Sequence, residues 1–307
     1  MKSRMRGAFL GLAVGDALGA AIEFRRPGDF EPVTGYRGGG PWGLEAGEWT
    51  DDTAMALAMA DSINTAGWCV DDQARHYLLW LDEGNYSVTG TCFDIGGTTR
   101  AGLETFRTTR SANTSGSNSP KASGNGSIMR LAPAVIHAAR HFPHDISRLA
   151  RMAGDSSLAT HGSHQCVSAC QYMALLMAGL VHGMERDDVL AVDWPPLMEL
   201  RRTVDLNHHI DAIACGSFRE KEPPEIRGSG WVVESLEAAL WAFHRAGSFQ
   251  EAVLDAVNLG DDADTTAAVC GQLAGACWGE DGIPGEWLDG LARRDEMIEP
   301  VLNWLVA

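Results

Sequence analysis

The sequence predicts an all-α protein, a compact multi-helix bundle, on three observations. Apolar residues recur at i, i+3, i+4 and i+7 in one segment after another. Ala, Leu and Met fill those positions, and the alternation expected of strands is nearly absent. Helix caps and stops fall between the segments. With 307 residues, 45% of them hydrophobic, the chain can bury a sizeable core, and it reads as one domain spanning 1–307.

In chain order, "MKSRMRGAFLGLAVGDALGAA" imitates a secretory signal, with a basic start, an apolar run and a small-residue end. Asp16 and four glycines interrupt the run, so a buried first helix is expected instead. Residues 27–49 form a Gly/Pro-rich loop. Helical periodicity then runs through 53–63 and 71–84, with Asp71 opening the second. The Ser/Asn/Gly stretch 111–127 interrupts, and 147–161 and 166–184 are helical again. Residues 219–230 read as a surface linker. Helices follow over 231–247, 249–259 and 263–279, with Gly247 closing one and Ser248 starting the next. The small residues of "GQLAGACWG" predict close packing on a neighbour.

Charge and cysteines narrow the functional classes. The 41 acidic residues against 24 basic give a net charge of -17, which argues against nucleic acid or an anionic membrane surface as partner. No stretch reaches the ~18 to 20 unbroken apolar residues of a membrane span. Seven cysteines without a C-x-x-C pair predict reduced, packed thiols and a cytoplasmic location. His137, His141 and His144 have a spacing that invites zinc, but Pro143 breaks the helix before the third.

The chemistry concentrates in two Asp/Thr clusters, "GEWTDDTAM" at 47–55 and "NLGDDADTT" at 258–266. Thr50 and Asp262 suit helix N-caps, and one such cap needs no further explanation. Five carboxylates (Asp51, Asp52, Asp261, Asp262, Asp264) exceed what capping requires. If the two helix starts face each other, at least four carboxylates and two threonine hydroxyls share one pocket. Their repulsion raises pKa values or is relieved by two divalent cations. All-oxygen ligands select Mg2+ or Mn2+. In "SGNGSIMRLAP", Gly124 and Gly126 let backbone N–H groups converge on an anion, and Arg130 can reach toward it or pair with a carboxylate.

"GAFLGLAVGDALGAAIEF", "GEWTDDTAM", "CFDIGGTTRAGLETF", "GNGSIMRLAP", "ATHGSHQCVSAC" and "NLGDDADTTAAVCGQLAGACWG" occur in the order seen in the ADP-ribosylglycohydrolases, and the chain resembles that family from about residue 6 to residue 280. The resemblance implies an orthogonal all-helical bundle and two Mg2+ or Mn2+ ions. It implies a substrate that is ADP-ribose on an acceptor, arginine on protein first, with serine, a nucleobase or a small metabolite as alternatives. Thr50, Asp51 and Asp52 match the first ligand group, and Asp262, Asp264 and Thr265 the second. Glu23 matches an acid that gates or assists the reaction; Asp52 and Asp264 are expected to be indispensable for it. Asp94 matches a carboxylate that orients the departing group, suited to a guanidinium. Ser123, Gly124, Asn125, Gly126 and Ser127 match the diphosphate cradle, and His161 a histidine near the ribose; His164 is a weaker match. A monomer fits these expectations.

Two departures bear on substrate preference. Asp261 stands where the family has a second glycine, adding charge beside the metal ligands, and the Ser/Asn insert 111–121 alters the rim beside the diphosphate loop. Isoprenoid-diphosphate enzymes are also helical with two Asp-rich segments, but "DDTAM" lacks their third carboxylate and "GNGS" has no use there. A non-catalytic ADP-ribose binder is disfavoured because all six metal positions are filled.

Overall fold

A computed structural model describes residues 1–307. It is all-helical with no sheet. The helices are α1 (Lys2–Gly19), α2 (Asp51–Ala66), α3 (Val70–Glu83), α4 (Gly97–Thr109) and α5 (Ala132–Ala138). There follow α6 (Ile146–Ser157), α7 (His164–Val181), α8 (Arg186–Val189), α9 (Pro195–Thr203) and α10 (His208–Ala214). The last are α11 (Val232–Arg245), α12 (Phe249–Val257), α13 (Ala263–Trp278), α14 (Gly285–Gly290) and α15 (Glu299–Leu305).

The centre of the molecule is the contact between α1 and α13. Gly7, Gly11, Gly15 and Gly19 fall on one face of α1 at every fourth residue, and Gly271 and Gly275 answer from α13. A Cβ on Gly11 would strike the carbonyl of Gly271, and a Cβ on Gly271 would strike that of Gly11. The backbones therefore touch directly, an approach only small residues permit. This explains the apolar N-terminal run: Lys2–Ile22 has the length and hydropathy of a membrane span, yet 83% of its apolar 18-residue stretch is buried inside the protein.

Several expectations shift in detail. Asp71 lies in the first turn of α3 but does not cap it; its carboxylate accepts from the backbone N–H of Ala112. Ser248 does cap α12, accepting from Glu251 N–H at 3.2 Å. The helix expected over 147–161 stops at Ser157, where the chain turns to present His161. Residues 219–230 are more than a surface linker. The carbonyl of Gly228 accepts from Asp262 N–H at 2.8 Å and that of Gly230 from Asn125 N–H at 3.1 Å, so this segment straps the second Asp cluster to the glycine loop.

Candidate active site

The starts of α2 and α13 meet at the floor of a cavity of about 730 Å³. Thr50 Oγ1 lies 3.1 Å from Asp52 Oδ2 and 3.2 Å from Asp264 Oδ2, and Thr265 Oγ1 lies 3.4 Å from Asp52 Oδ2. Neither Thr50 nor Asp262 uses its side chain to cap its own helix. The oxygens turn toward one another instead. Asp51, Asp262 and Thr265 line the cavity, while Thr50, Asp52 and Asp264 sit deeper, each almost fully buried. Asp51, Asp52 and Asp264 are all held well above the usual carboxylate range, first by burial and then by surrounding acids: Asp16 for Asp51 and Asp52, Glu23 for Asp51 and Asp264, and Asp262 for all three.

Carboxylate oxygens of Asp16, Asp52 and Asp264 lie within 4.8 Å of one another, as do those of Glu23, Asp262 and Asp264. Asp52 Oδ1 is buried and has no hydrogen-bond partner. An unpaired buried carboxylate oxygen among crowded oxygen donors fits a hard divalent cation.

Glu23 reaches the cavity because the chain turns sharply after α1. Phe24 takes the left-handed φ of 65°, rare for an aromatic residue, and its N–H donates to Asp261 carbonyl at 2.7 Å. Trp42, from the Gly/Pro-rich loop, donates its indole N–H to Glu23 Oε2 at 2.7 Å. Burial, the opposing pull of that indole and the charge of Asp262 leave the Glu23 carboxyl raised to about 7. Asp94 lines the same wall, also at positive φ (60°), and burial plus the charges of Asp51 and Glu23 push it up to about 11. Phe93 packs against Trp42 with ring centroids 5.7 Å apart, so an aromatic edge borders these acids.

The opposite wall is the glycine loop. Gly124, Asn125, Gly126 and His161 line the cavity. Ser123 and Ser127 do not: both are buried behind the loop, and Ser123 Oγ donates to Ser163 Oγ at 2.8 Å. Two glycines are needed here chiefly to make room for the imidazole, since a Cβ at Gly126 would come within 2.8 Å of His161 Cε1. The loop is braced from below. Gln272 Nε2 donates to the carbonyls of Ile128 and Met129 at 3.0 and 2.8 Å, and Asn125 Nδ2 donates to Asp262 Oδ2 at 2.9 Å.

Arg130 neither enters the cavity nor meets a carboxylate. Its guanidinium is buried, donating to the Gly126 carbonyl and to Thr160 Oγ1 and lying 4.7 Å from the Tyr77 ring centroid. Thr160 Oγ1, which accepts from Arg130, also shares a hydrogen bond with His161 Nδ1, 2.8 Å away. Burial, with the charge of Arg130, lowers the imidazole to about 3. His161 is thus a neutral imidazole at the cavity wall, held by its Nδ1.

Sequence reasoning missed three participants. Asp16 was visible only as a charge breaking an apolar run. Arg100, in the first turn of α4, is the one Arg or Lys side chain lining the cavity, and it has no ion-pair partner. Gly230 closes the wall between Asn125 and Asp262. Two anticipated departures lie elsewhere than expected. Asp261 is exposed and outside the cavity, its backbone at the φ of 61° that a glycine would favour. The 111–121 insert packs behind His161, where Gly162 N–H donates to Ser117 carbonyl at 3.1 Å, and none of it lines the cavity. His164 points away as well, to the Asp205 carbonyl.

An all-helical scaffold that floors a cleft with an oxygen-only acidic cluster, walled by glycines and a neutral imidazole, has the donor chemistry to hold hard cations below and an anionic group against its wall. The family model described as ADP-ribosylglycohydrolase matches residues 1–307. The chain is similar to "ADP-ribosylarginine hydrolase Tri1" of Serratia proteamaculans, 39% identical over 295 residues, 96% of this chain and 76% of that protein. The protein of the same name from Pseudomonas putida is 41% identical over 291 residues, 94% and 74% of the two chains. "ADP-ribosyl-[dinitrogen reductase] glycohydrolase" of Rhodospirillum rubrum is 32% identical over 298 residues, 95% and 92%. A solved "ADP-ribosylglycohydrolase-related protein complex" superposes with a TM-score of 0.84 at 39% identity, covering 99% of this chain and 97% of that one. The chain belongs to the ADP-ribosylglycohydrolase family and is a glycosidic-bond hydrolase.

Proposed function

We propose that this enzyme releases ADP-ribose from arginine side chains of modified proteins, assisted by two Mg2+ or Mn2+ ions, and that residues 1–307 act as one catalytic domain in the cytoplasm. The observation that carries the reading is the meeting of Thr50, Asp264 and Thr265 oxygens with Asp52, whose Oδ2 they approach while its buried Oδ1 stays unpartnered. The arginine assignment draws support from the similar arginine hydrolases and from the acids on the cavity wall. Seven free cysteines fit a reducing compartment.

Thr50, Asp51, Asp52, Asp262, Asp264 and Thr265 would hold the ions, which when bound supply Lewis-acid stabilisation of oxygens and a more acidic water. The chain's own residues do the rest. Cleavage adds water across the bond between ribose C1 and the acceptor nitrogen: the sugar gains the hydroxyl and the acceptor leaves with a proton. Glu23, poised near neutrality, is suited to take or give that proton. Asp94 faces the leaving side, where an arriving guanidinium would offset the acidic neighbours that hold its carboxyl protonated and pair with its two oxygens, and the Trp42 and Phe93 rings offer apolar contact to the same group. The neutral His161 and the amides of Gly124 and Gly126 face the ADP-ribose side without adding negative charge. Arg100 supplies the one mobile cation for the diphosphate.

The test is to incubate the protein with Mg2+ or Mn2+ and proteins carrying ADP-ribose on arginine or on serine, and to follow free ADP-ribose. Release from arginine alone is expected; release from serine alone would overturn the acceptor assignment. Asp94→Asn is expected to lower kcat on the arginine substrate by about a hundredfold while leaving ADP-ribose affinity within about twofold. Asparagine tolerates the left-handed backbone there, so the loop keeps its shape. Arg100→Ala is expected to weaken ADP-ribose binding roughly tenfold, read by calorimetry, because one partly exposed charge-assisted contact is lost.

A further inference from the structure

Asp16 lies in one of the two carboxylate groups compact enough to bind a cation, yet its hydrogen bonds give it another task. Its side chain is completely buried on α1, between Gly15 and Gly19. Oδ1 accepts from Thr50 N–H at 2.8 Å and from Thr50 Oγ1 at 2.9 Å. Oδ2 accepts from Thr53 N–H at 2.9 Å and from Thr53 Oγ1 at 2.6 Å. An ionised carboxylate offers about four lone-pair directions, and four donors occupy them. Nothing is left with which to ligate an ion. Asp52, by contrast, keeps one oxygen wholly unpartnered.

The consequence falls on Thr50. Its hydroxyl has a single hydrogen and three oxygens within reach, of Asp16, Asp52 and Asp264, of which Asp16 is nearest. With that hydrogen committed to Asp16, the lone pairs of Thr50 Oγ1 face Asp52 and Asp264. The same two oxygens of Asp16 collect the backbone N–H groups of Thr50 and Thr53, in place of the caps α2 lacks.

We propose that Asp16 is a positioning residue, not a ligand: it clamps the first turn of α2 and orients the Thr50 hydroxyl so that its lone pairs are available to the cation. This rests on the two-cation reading given above. It is tested by calorimetric titration of Mn2+ into the full-length protein and into Asp16→Asn, with thermal unfolding of both. The amide that this substitution introduces would set a donor against the donors of Thr53. At least a tenfold loss of Mn2+ affinity is expected, with the number of ions bound unchanged. Loss of one ion with unaltered affinity for the other would make Asp16 a ligand and overturn the proposal. Unaltered affinity and number in a less stable protein would overturn it too. If Asp16→Asn does not fold, Thr53→Val and Thr53→Ser replace it. Val should weaken Mn2+ binding severalfold and Ser should restore it, whereas equal binding by the Val variant and the parent refutes the clamp. A parent protein that binds no Mn2+ would sink the two-cation reading, and the proposal with it; normal parent binding with an indifferent variant sinks the proposal alone.

Discussion

Replacing Asp264 by alanine is expected to reduce turnover by at least about a thousandfold, on the order of 4 kcal/mol of transition-state stabilisation. It is also expected to abolish the effect of chelator on stability. Asp264 stands beside Thr50 and within the reach of Asp16, Asp52, Glu23 and Asp262, in a setting that penalises every charge. Cations saturating the parent at about a hundred times Kd should stabilise it by about 2.7 kcal/mol, or roughly 5 °C in Tm. The variant should show neither shift. The pH dependence without cations follows from the same crowding. Asp16 rises from 3.8 to about 6 and Glu23 from 4.5 to about 7, so the folded chain binds protons more tightly than the unfolded one. Stability contributed by these groups is present at about pH 4 and is lost as pH rises through about 7. Thermal unfolding in chelator should register that decline, and added Mg2+ should flatten it. Full activity in Asp264→Ala would remove the basis for a cation centre.

Placing a methyl group at Gly15 is expected to destabilise the fold by about 3 kcal/mol, although alanine favours helix by nearly 1 kcal/mol over glycine. The new Cβ would come within 3.0 Å of the Ala267 carbonyl carbon and of the Ala268 nitrogen, all backbone that cannot rotate away. Position along the stripe decides the functional outcome. Gly7 abuts Gly275 and Gly279, far along α13 from the site, whereas Gly19 abuts the Cα of Asp264 itself. Gly7→Ala should lower Tm and leave Mn2+ affinity of the folded protein unchanged. Gly19→Ala should weaken that affinity at least tenfold. Unfolding curves paired with Mn2+ titrations separate the two effects.

Much of the site was legible because each half lies at the start of a strongly periodic helix. "TDDTAM" and "DADTTAAVCGQ" carry their ligand atoms and their helical signature in the same few residues. α3 and α12 bury one face each, while α2, α7, α11 and α13 are buried on nearly all sides, and either pattern of apolar residues can be read without knowing the partner. The short helices α5, α8, α9, α10, α14 and α15 have four to nine residues each. They are held by tertiary packing rather than propensity, so local pattern does not announce them. α4 escaped notice because it opens on Gly-Gly-Thr-Thr, a poor helical start whose glycines lie at the cavity wall. Asp16 escaped because a lone acid in an apolar helix shows nothing of partners that lie 34 and 37 residues away. The resemblance implied that Ser123 and Ser127 belong to the diphosphate cradle, but both are buried behind the loop, and it is Gly124, Asn125 and Gly126 that line the cavity.

Arg130 is a buried cation in a chain with a net charge of -17. The guanidinium is sealed under the glycine loop with neutral hydrogen-bond partners only, and its burial shields it from solvent screening. Its charge already pulls downward on the pKa of both His161 and Asp51. From beneath the glycine loop it offsets part of the negative charge that the acidic floor presents to the cavity.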